Sequence, residues 1–367
     1  MNAEAPSRPV PQLDALTGIR GVAAWFVVLF HIRTSLVELV PQGAIAAIGK
    51  GYLAVDLFFM LSGFVMWLNY APRLAERGFG ELPHFWWRRF ARIWPLHVAI
   101  LAGLAVFALL LAATGRDTSN YPFAELPLHV LLVQNWGFTD ALRWNHPAWS
   151  ISTEMGAYLL FPVLVLGLPW RRLHLPALMG FAALLCALIY LVFAGHGEVS
   201  LGDDIPHLGL PRCLAEFALG MALCRMWQEI AARRLGAAVA LIAGSAILAA
   251  GVALGLPESA FVPAGLAALL LALACDTGPA ARFLASRPLR WLGDASYSTY
   301  LAHFPLFVFY KLLFVDESLQ LGWAGLAGYI ALVLAASALL YRLLEKPAQR
   351  WLNAHPPRFV GHLSPAS

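Results

Sequence analysis

Charged residues are scarce in this 367-residue chain, where Asp, Glu, Lys and Arg together make up only 13% of the sequence. Soluble globular domains average about 25% charged residues. Hydrophobic residues account for 60% of the chain, and a fold in water would expose far too much of that hydrocarbon. The composition therefore excludes an ordinary soluble protein and predicts a chain whose solvent is largely the lipid bilayer.

Cysteines and recognisable catalytic motifs are scarce as well. The four cysteines lie in or near apolar runs, and their spacing fits neither a disulfide framework nor a metal site, so we expect packed thiols and no bound metal. The sequence contains no G-x-S-x-G nucleophile elbow and no Gly-rich phosphate loop. The net charge of +4 comes from basic residues scattered over short loops, which argues against a nucleic-acid partner.

Apolar runs of about twenty residues, each long enough to cross a bilayer, recur about ten times along the chain. They predict an all-α membrane protein with about ten transmembrane helices. The predicted transmembrane domain covers 14–344, between a cytoplasmic N-terminal segment, 1–13, and a cytoplasmic C-terminal tail, 345–367. The predicted spans lie near 14–33, 44–69, 93–113, 148–168, 175–194, 208–227, 235–254, 259–275, 294–314 and 322–343.

The basic residues predict the orientation of these spans. With the N-terminus in the cytoplasm, 18 of the 25 Lys and Arg fall in cytoplasmic segments and six in outer segments, Arg212 among the latter. Such a bias is the positive-inside pattern of multi-pass membrane proteins. We therefore expect both termini to be cytoplasmic and the chain to reside in the inner (plasma) membrane.

The first predicted span carries two ionisable residues, Arg20 and His31, inside LTGIRGVAAWFVVLFHIR. Eleven residues are about three helical turns plus 20°, so both side chains project from nearly the same face, roughly 16 Å apart along the axis. An arginine in hydrocarbon costs at least about 2.5 kcal/mol, so Arg20 must face protein, water or a ligand. Either the two side chains snorkel to opposite interfaces, or they form a functional pair in which the histidine exchanges a proton.

Two carboxylates also fall within predicted spans. Asp56 lies about halfway down the second predicted span. It is either a structural partner for Arg20 or another buried cation, or a functional group. Glu154 lies just inside the outer end of the fourth span, in PAWSISTEMGAYLLFP, with Trp149 and Ser152 close by in the sequence. A membrane glutamate is costly and usually functional, although local pairing is the alternative.

The ninth span, SYSTYLAHFPLF, places Tyr300 and His303 three residues apart on one helix face. Pro305 then frees a backbone carbonyl and favours a kink. A buried histidine that is satisfied by hydrogen bonds explains His303 as well as chemistry does.

The densest basic cluster is FWWRRFARIWPL, with Arg88, Arg89 and Arg92 at the predicted cytoplasmic side. Arg88 and Arg92 form an i,i+4 pair on one helix face. Arginines flanked by tryptophans are typical of an interfacial anchor that binds lipid phosphates. They are equally suited to clamp a phosphorylated ligand, since the guanidinium fork matches phosphate geometry.

These motifs, in this order along nearly the whole chain, resemble the acyltransferase 3 family of integral membrane acyltransferases. The quoted stretches are LDALTGIRGVAAWFVVLFH, DLFFMLSGF, FWWRRFARIWPL, WSISTE and YSTYLAHFP. The resemblance implies a ten-span fold that transfers an acyl group, commonly acetyl, from acyl-CoA to a hydroxyl. Typical acceptors in the family are extracytoplasmic glycans such as O-antigen or exopolysaccharide, and macrolides and other small molecules also occur.

The resemblance also implies roles for residues. His31 is expected as general base or transient acyl carrier, Arg20 as stabiliser of the thioester or oxyanion, and Glu154 as the group that orients the imidazole or binds acceptor. Arg88, Arg89 and Arg92 are expected to hold acyl-CoA, which is a donor substrate and no permanent cofactor. The expected substrate-binding or supporting residues are Asp56, Trp149, Ser152, Tyr300 and His303. Acyl-CoA, a hydroxyl acceptor and membrane lipids are the expected partners, with the oligomeric state open.

The same buried ionisable residues also suit a proton-coupled transporter or a flippase of a lipid-linked glycan. That alternative predicts neither dependence on acyl-CoA nor a covalent product. The sequence contains no clear internal repeat, which weighs against a transporter. A sensor or scaffold without turnover is a third, weaker interpretation.

Overall fold

The computed structural model describes residues 13–231, 236–316 and 318–360, and the regular elements in these ranges are all helical. Ten of the described helices have 18 residues or more: α1 (Asp14–Ile32), α3 (Ala54–Arg77), α4 (Leu82–Ala113), α6 (Ala148–Gly167), α7 (Leu175–Gly195), α8 (Ile205–Ile230), α9 (Gly236–Ala253), α10 (Glu258–Cys275), α13 (Ser296–Phe314) and α14 (Trp323–Leu340). The shorter helices are α2 (Gln42–Gly49), α5 (Leu126–Leu131), α11 (Pro279–Leu284), α12 (Arg287–Asp294) and α15 (Lys346–Ala354). Short 3₁₀ turns include Lys50–Leu53, and a π-turn, Tyr341–Glu345, follows α14.

Each predicted span overlaps one of the ten long helices. Seven segments of the described chain are apolar and long enough to cross a membrane, and one of them, Gln42–Ala113, contains both α3 and α4. The helices α8 and α13, which carry more polar side chains, are outside that set. The chain is therefore an α-helical multi-pass membrane protein, while ten spans and cytoplasmic termini stay predictions.

The predicted second span, 44–69, is wrong at both ends. The chain forms α2, then the 3₁₀ turn Lys50–Leu53, and begins a new helix at Ala54 that runs to Arg77. The turn brings Gly51 against α1, where an added Cβ would lie 2.5 Å from the Phe26 carbonyl oxygen. As a consequence Asp56 lies in the first turn of α3 and not halfway down a span.

The helices α3 and α8 meet through glycine at the centre of the bundle. A Cβ on Gly63 would lie 1.9 Å from the Phe217 carbonyl oxygen, and one on Gly220 would lie 1.9 Å from the Met60 carbonyl oxygen. Small residues permit this backbone-to-backbone approach, which is a common way for membrane helices to associate. The contact fixes the rotation of α3 and α8 and so determines which of their side chains face the interior.

The peripheral helices present apolar side chains outward. On α7 and α9, Leu184, Leu191 and Ile242 are 63%, 63% and 69% exposed. Water does not tolerate such continuous apolar faces, whereas acyl chains of lipid do. The polar side chains collect instead between α1, α3, α4, α6, α8 and α13, where the candidate site lies.

Candidate functional site

Two polar cavities lie end to end along α1. The Arg20 cavity, of about 390 Å³, is at the end of the bundle where α1 begins and is lined by side chains of α1, α3, α4, α6 and α13. The His31 cavity, of about 440 Å³, is at the end where α1 terminates, and its wall includes the 200–203 loop. Arg20 and His31 thus share a helix face, as predicted, but they line different cavities.

Arg20 is held by the end of α12. Its Nε and Nη2 both donate to the carbonyl oxygen of Gly293, at 3.2 and 3.1 Å. The carbonyl is close because α1 and α12 touch through backbone: a Cβ on Gly293 would lie 1.9 Å from the Thr17 carbonyl oxygen. Within the described chain Arg20 forms no ion pair, so its positive charge is available to the cavity.

The basic cluster divides between the cavity and the surface of the bundle. Arg89 and Arg92 line the Arg20 cavity, whereas Arg88 does not and instead donates from Nε to His84 Nε2 at 3.0 Å. The i,i+4 pair Arg88 and Arg92 is therefore not found together on the cavity wall, and binding of acyl-CoA by Arg88 stays a prediction. The i,i+3 pair Arg89 and Arg92 takes its place because helix rotation turns Arg88 away.

Both cavity arginines are anchored. Arg89 donates from Nη2 to the Tyr70 hydroxyl at 2.6 Å, with its guanidinium over the Tyr70 ring. Arg92 pairs with Glu345, which also accepts a hydrogen bond from Ser298 Oγ at 2.5 Å. Glu345 is only 2% exposed, although it is the first residue of the predicted C-terminal tail. The sequence signal for it was a carboxylate directly after an apolar run.

Glu154 belongs to the Arg20 cavity as well. Its carboxylate accepts hydrogen bonds from Ser62 Oγ and from the Tyr158 hydroxyl, the latter at 2.6 Å. It makes no hydrogen bond to His31, so the expectation that it orients the imidazole is wrong. Glu154 lines the same cavity as Arg20 and Arg89, so it is positioned to contact a ligand that binds there.

His31 is oriented by two acceptors. Its Nδ1 is 2.9 Å from the Val27 carbonyl oxygen and 3.1 Å from Nε2 of His303. The Nδ1 of His303 is 3.1 Å from the Thr299 carbonyl oxygen. Since carbonyl oxygens only accept, this network assigns the proton of both neutral rings to Nδ1, and His303 Nε2 accepts from His31.

The assignment leaves the lone pair of His31 Nε2 without a hydrogen bond in the described chain, on the wall of the His31 cavity. An imidazole nitrogen in that state is able to accept a proton or to attack a carbonyl carbon. His303 is both fully buried and hydrogen-bonded, and its contact with His31 connects it to that chemistry.

Asp56 pairs with Arg212 and not with Arg20. Arg212 donates from Nε and Nη2 to the two carboxylate oxygens of Asp56 at 2.8 and 2.6 Å, and from Nη1 to the Leu201 carbonyl at 2.6 Å. Both partners are almost completely buried. Arg212, counted with the outer segments although it falls within the predicted span 208–227, thus lies inside α8 and lines the His31 cavity.

The remaining predicted supporting residues have different positions. Trp149 lines the His31 cavity, with the Arg212 guanidinium 5.7 Å from its ring centre. Ser152 lines neither cavity. Its Oγ instead accepts a hydrogen bond at 3.1 Å from the backbone N–H of Asn135. Tyr300 lines both cavities, and its hydroxyl is 2.8 Å from Ser150 Oγ.

The rim of the His31 cavity is fixed by Glu258. Its carboxylate accepts from Lys50 Nζ at 2.5 Å and from the Tyr52 hydroxyl at 2.6 Å, and Ser200 Oγ donates to it at 3.0 Å. These bonds connect the turn before α3, the 200–203 loop and the start of α10. The cavity wall that contains Tyr52 and Ser200 is consequently held in one arrangement.

Comparison with known proteins identifies the family to which this chain belongs. A family model described as an acyltransferase domain, Acyl_transf_3, matches residues 13–342. The chain belongs to the acyltransferase 3 family. The resemblance in the motifs is thereby confirmed, and the protein is an acyltransferase.

Relatives in this family carry matching names. The chain is 31% identical to Acyltransferase MdmB of Streptomyces mycarofaciens, over 95% of this chain and 94% of MdmB. It is 29% identical to BcsY of Komagataeibacter xylinus, whose name describes a membrane-bound transacylase, over 93% and 84%. It is 23% identical to O-acetyltransferase OatA of Staphylococcus aureus, over 92% of this chain and 57% of OatA. No solved structure matches.

Proposed function

We propose that the chain transfers an acetyl or other short acyl group from acyl-CoA, across the inner (plasma) membrane, to a hydroxyl of an extracytoplasmic glycan. The observation that carries this proposal is the pair of cavities. One is lined by arginines suited to an anionic donor, and the other contains a histidine nitrogen suited to activate a hydroxyl.

Acyl-CoA is the donor that best suits the Arg20 cavity. Arg89 and Arg92 point into it from one helix face, and Arg20 adds a third guanidinium. Planar guanidinium forks bind phosphate oxygens in a bidentate manner and are always charged. The positive-inside bias of the loops favours a cytoplasmic opening for this cavity, where acyl-CoA is available.

Arg20 acts on the donor and not on the oxyanion. Its Cα lies roughly 16 Å along α1 from that of His31, and its guanidinium is bonded to Gly293 in the other cavity. An oxyanion donor has to lie about 3 Å from the oxygen on which charge develops. That oxygen forms beside His31, so Arg20 holds the phosphates or pantetheine of the donor.

At the other end, His31 Nε2 takes the proton of the acceptor hydroxyl. The hydroxyl oxygen then attacks the thioester carbonyl, and the carbon–sulfur bond breaks to release CoA. In a second route His31 Nε2 attacks first and carries the acyl group to the acceptor. Both routes need the same free nitrogen, which the Val27 carbonyl oxygen and His303 Nε2 maintain by accepting from Nδ1.

The wall of the His31 cavity suits a sugar. Phe30, Tyr52 and Trp149 provide aromatic surface, and Arg33 and Asp203 provide charged hydrogen-bonding groups at the rim. Flat apolar faces beside a few polar groups are typical of sites that orient small ligands. We therefore assign the acceptor to this cavity, on the side of the membrane opposite to the donor.

The test uses purified protein in lipid nanodiscs with isotopically labelled acetyl-CoA, and cells that express the protein as the source of envelope glycan. Labelled ester on the glycan, absent with His31→Ala at equal membrane expression, supports the proposal. Mass analysis of the protein without acceptor separates the two routes, since only the second leaves an acetyl group on His31. An active His31→Ala variant would exclude His31 from either role.

A further inference from the structure

Tyr300 is the boundary between the two cavities. Of the described residues, it alone lines both the Arg20 cavity and the His31 cavity, and its side chain is 93% buried, with 7% exposed. Any group that passes from one cavity to the other along this wall has to pass its ring.

The ring is held in place by two other helices. Ser150 Oγ, on α6, donates to the Pro147 carbonyl oxygen at 3.1 Å, so the Tyr300 hydroxyl donates to Ser150 at 2.8 Å. Phe58, on α3, contacts the ring edge-on, with centroids 5.8 Å apart. A single hydrogen bond to a side chain thus fixes the tip of the ring, and breaking one such bond has a modest free-energy cost.

An enzyme that binds a thioester next to a water-accessible acceptor cavity has to prevent hydrolysis of that thioester. A thioester reacts with water by the same attack that it undergoes with a hydroxyl. Water oxygen bonds to the carbonyl carbon, the carbon–sulfur bond breaks, and the thiolate takes a proton, which yields acetate and CoA thiol. Closing an active site against water suppresses such side reactions.

We propose that the Tyr300 ring closes the passage between the two cavities and thereby selects the acceptor hydroxyl over water. The ring keeps the thioester in the Arg20 cavity apart from the water of the His31 cavity until an acyl group passes. This inference rests on the proposed function, but it assigns to Tyr300 a role in choosing between two nucleophiles, which binding of donor or acceptor alone does not require.

Tyr297 provides a matched control on the same helix. It lines only the Arg20 cavity, and its hydroxyl donates to the Ile93 carbonyl oxygen at 2.7 Å. Tyr297→Ala therefore removes an equal ring from the donor cavity without connecting the two cavities. Tyr300→Phe is the second control, because it keeps the ring and removes only the bond to Ser150.

The experiment measures two products with labelled acetyl-CoA. Release of CoA thiol without acceptor is measured in nanodiscs, and ester formation is measured on the envelope glycan of expressing cells. For Tyr300→Ala we expect the ratio of hydrolysis to transfer to rise by roughly tenfold or more, because water is no longer excluded. Tyr297→Ala is expected to keep the wild-type ratio even if the total rate falls, and Tyr300→Phe, which keeps the ring but releases its tip, is expected to raise the ratio less than Tyr300→Ala does.

Tyr300→Leu replaces the alanine variant if that variant does not reach the membrane, with the same expectation. A wild-type ratio in the Tyr300 variant, or an equal rise in Tyr297→Ala, overturns the inference while leaving the proposed function intact. Absence of labelled ester with wild-type protein overturns the proposed function itself, and this inference with it.

Discussion

Nδ1 of His31 and Nε2 of His303 lie 3.1 Å apart, and only one of these two nitrogens carries a proton. The Thr299 carbonyl fixes the proton of His303 on its Nδ1, so His303 is the acceptor. Two histidines from the first and the ninth predicted spans therefore act as one unit. One presents a free nitrogen to the cavity, and the other accepts, together with the Val27 carbonyl oxygen, from the protonated Nδ1 of the first.

We expect His303→Leu to lower kcat by roughly ten- to a hundredfold with little change in the KM for acyl-CoA, because His31 Nδ1 then keeps only the Val27 carbonyl as acceptor and the imidazole is held less firmly in its catalytic orientation. His303→Gln offers an amide oxygen to His31 Nδ1 and is expected to recover part of the rate. Steady-state kinetics of both variants provide the measurement. If glutamine is no better than leucine, or if only KM changes, His303 does not position His31.

Arg89→Ala is expected to raise the KM for acyl-CoA by about tenfold or more, since a charge-assisted hydrogen bond contributes about 1.5–3 kcal/mol. Arg88→Ala removes the same type of charge from the adjacent, half-buried position outside the cavity, so it is expected to leave that KM within about twofold. Equal effects of the two variants would favour an interfacial lipid anchor. A rise in acceptor KM alone would exclude the coenzyme role.

Removal of the Asp56 carboxylate is expected to destabilise the protein strongly. Asp56→Ala leaves Arg212 buried and unpaired, which typically costs about 3–5 kcal/mol. The double variant Asp56→Leu with Arg212→Met removes both charges and is expected to regain much of that stability. Thermal unfolding in detergent is the measurement. A single variant as stable as wild type would show that Arg212 finds other partners.

The orientation is testable with single cysteines on a background that lacks the four natural ones. Gly78 and Gly197 have left-handed backbone, with φ of 59° and 78°, so a cysteine at either position would be strained. Their neighbours Phe79 and Val199 are better positions for the cysteine because they are 78% and 63% exposed. Phe79→Cys is expected to resist an impermeant maleimide in intact cells, and Val199→Cys to react. The reverse pattern would place the arginine-lined cavity outside, where cytoplasmic acyl-CoA does not reach it.

Hydropathy was sufficient to locate the long helices, because a run of twenty apolar residues in lipid has few alternatives to a helix. It did not separate the turn at Lys50–Leu53 from α3, because Lys50 and Gly51 are only a short interruption between two apolar stretches, and the contact with α1 that accompanies the turn is a property of the packed bundle. The position of Asp56 was misjudged for that reason.

Periodicity correctly placed Arg20 and His31 on one face, since that relation is internal to a single helix. Which of the arginines in 88–92 face the interior depends on the rotation of α4 in the bundle, and no local sequence pattern reveals that rotation. The partners of Asp56 and Arg92 are more remote still, because Arg212 and Glu345 lie 156 and 253 residues away along the chain. Such pairs are properties of the packed bundle.

The pair Arg92 and Glu345 has a consequence for how the protein is made. Membrane proteins are synthesised from the N-terminus, so α4 leaves the ribosome long before the π-turn that supplies Glu345. In the described chain Glu345 is the carboxylate with which Arg92 pairs. The Arg20 cavity is therefore complete only when the last predicted span docks, and a nascent chain or one truncated before Glu345 holds Arg92 without its counter-ion. Biogenesis itself thus delays the completion of the Arg20 cavity until the bundle is closed.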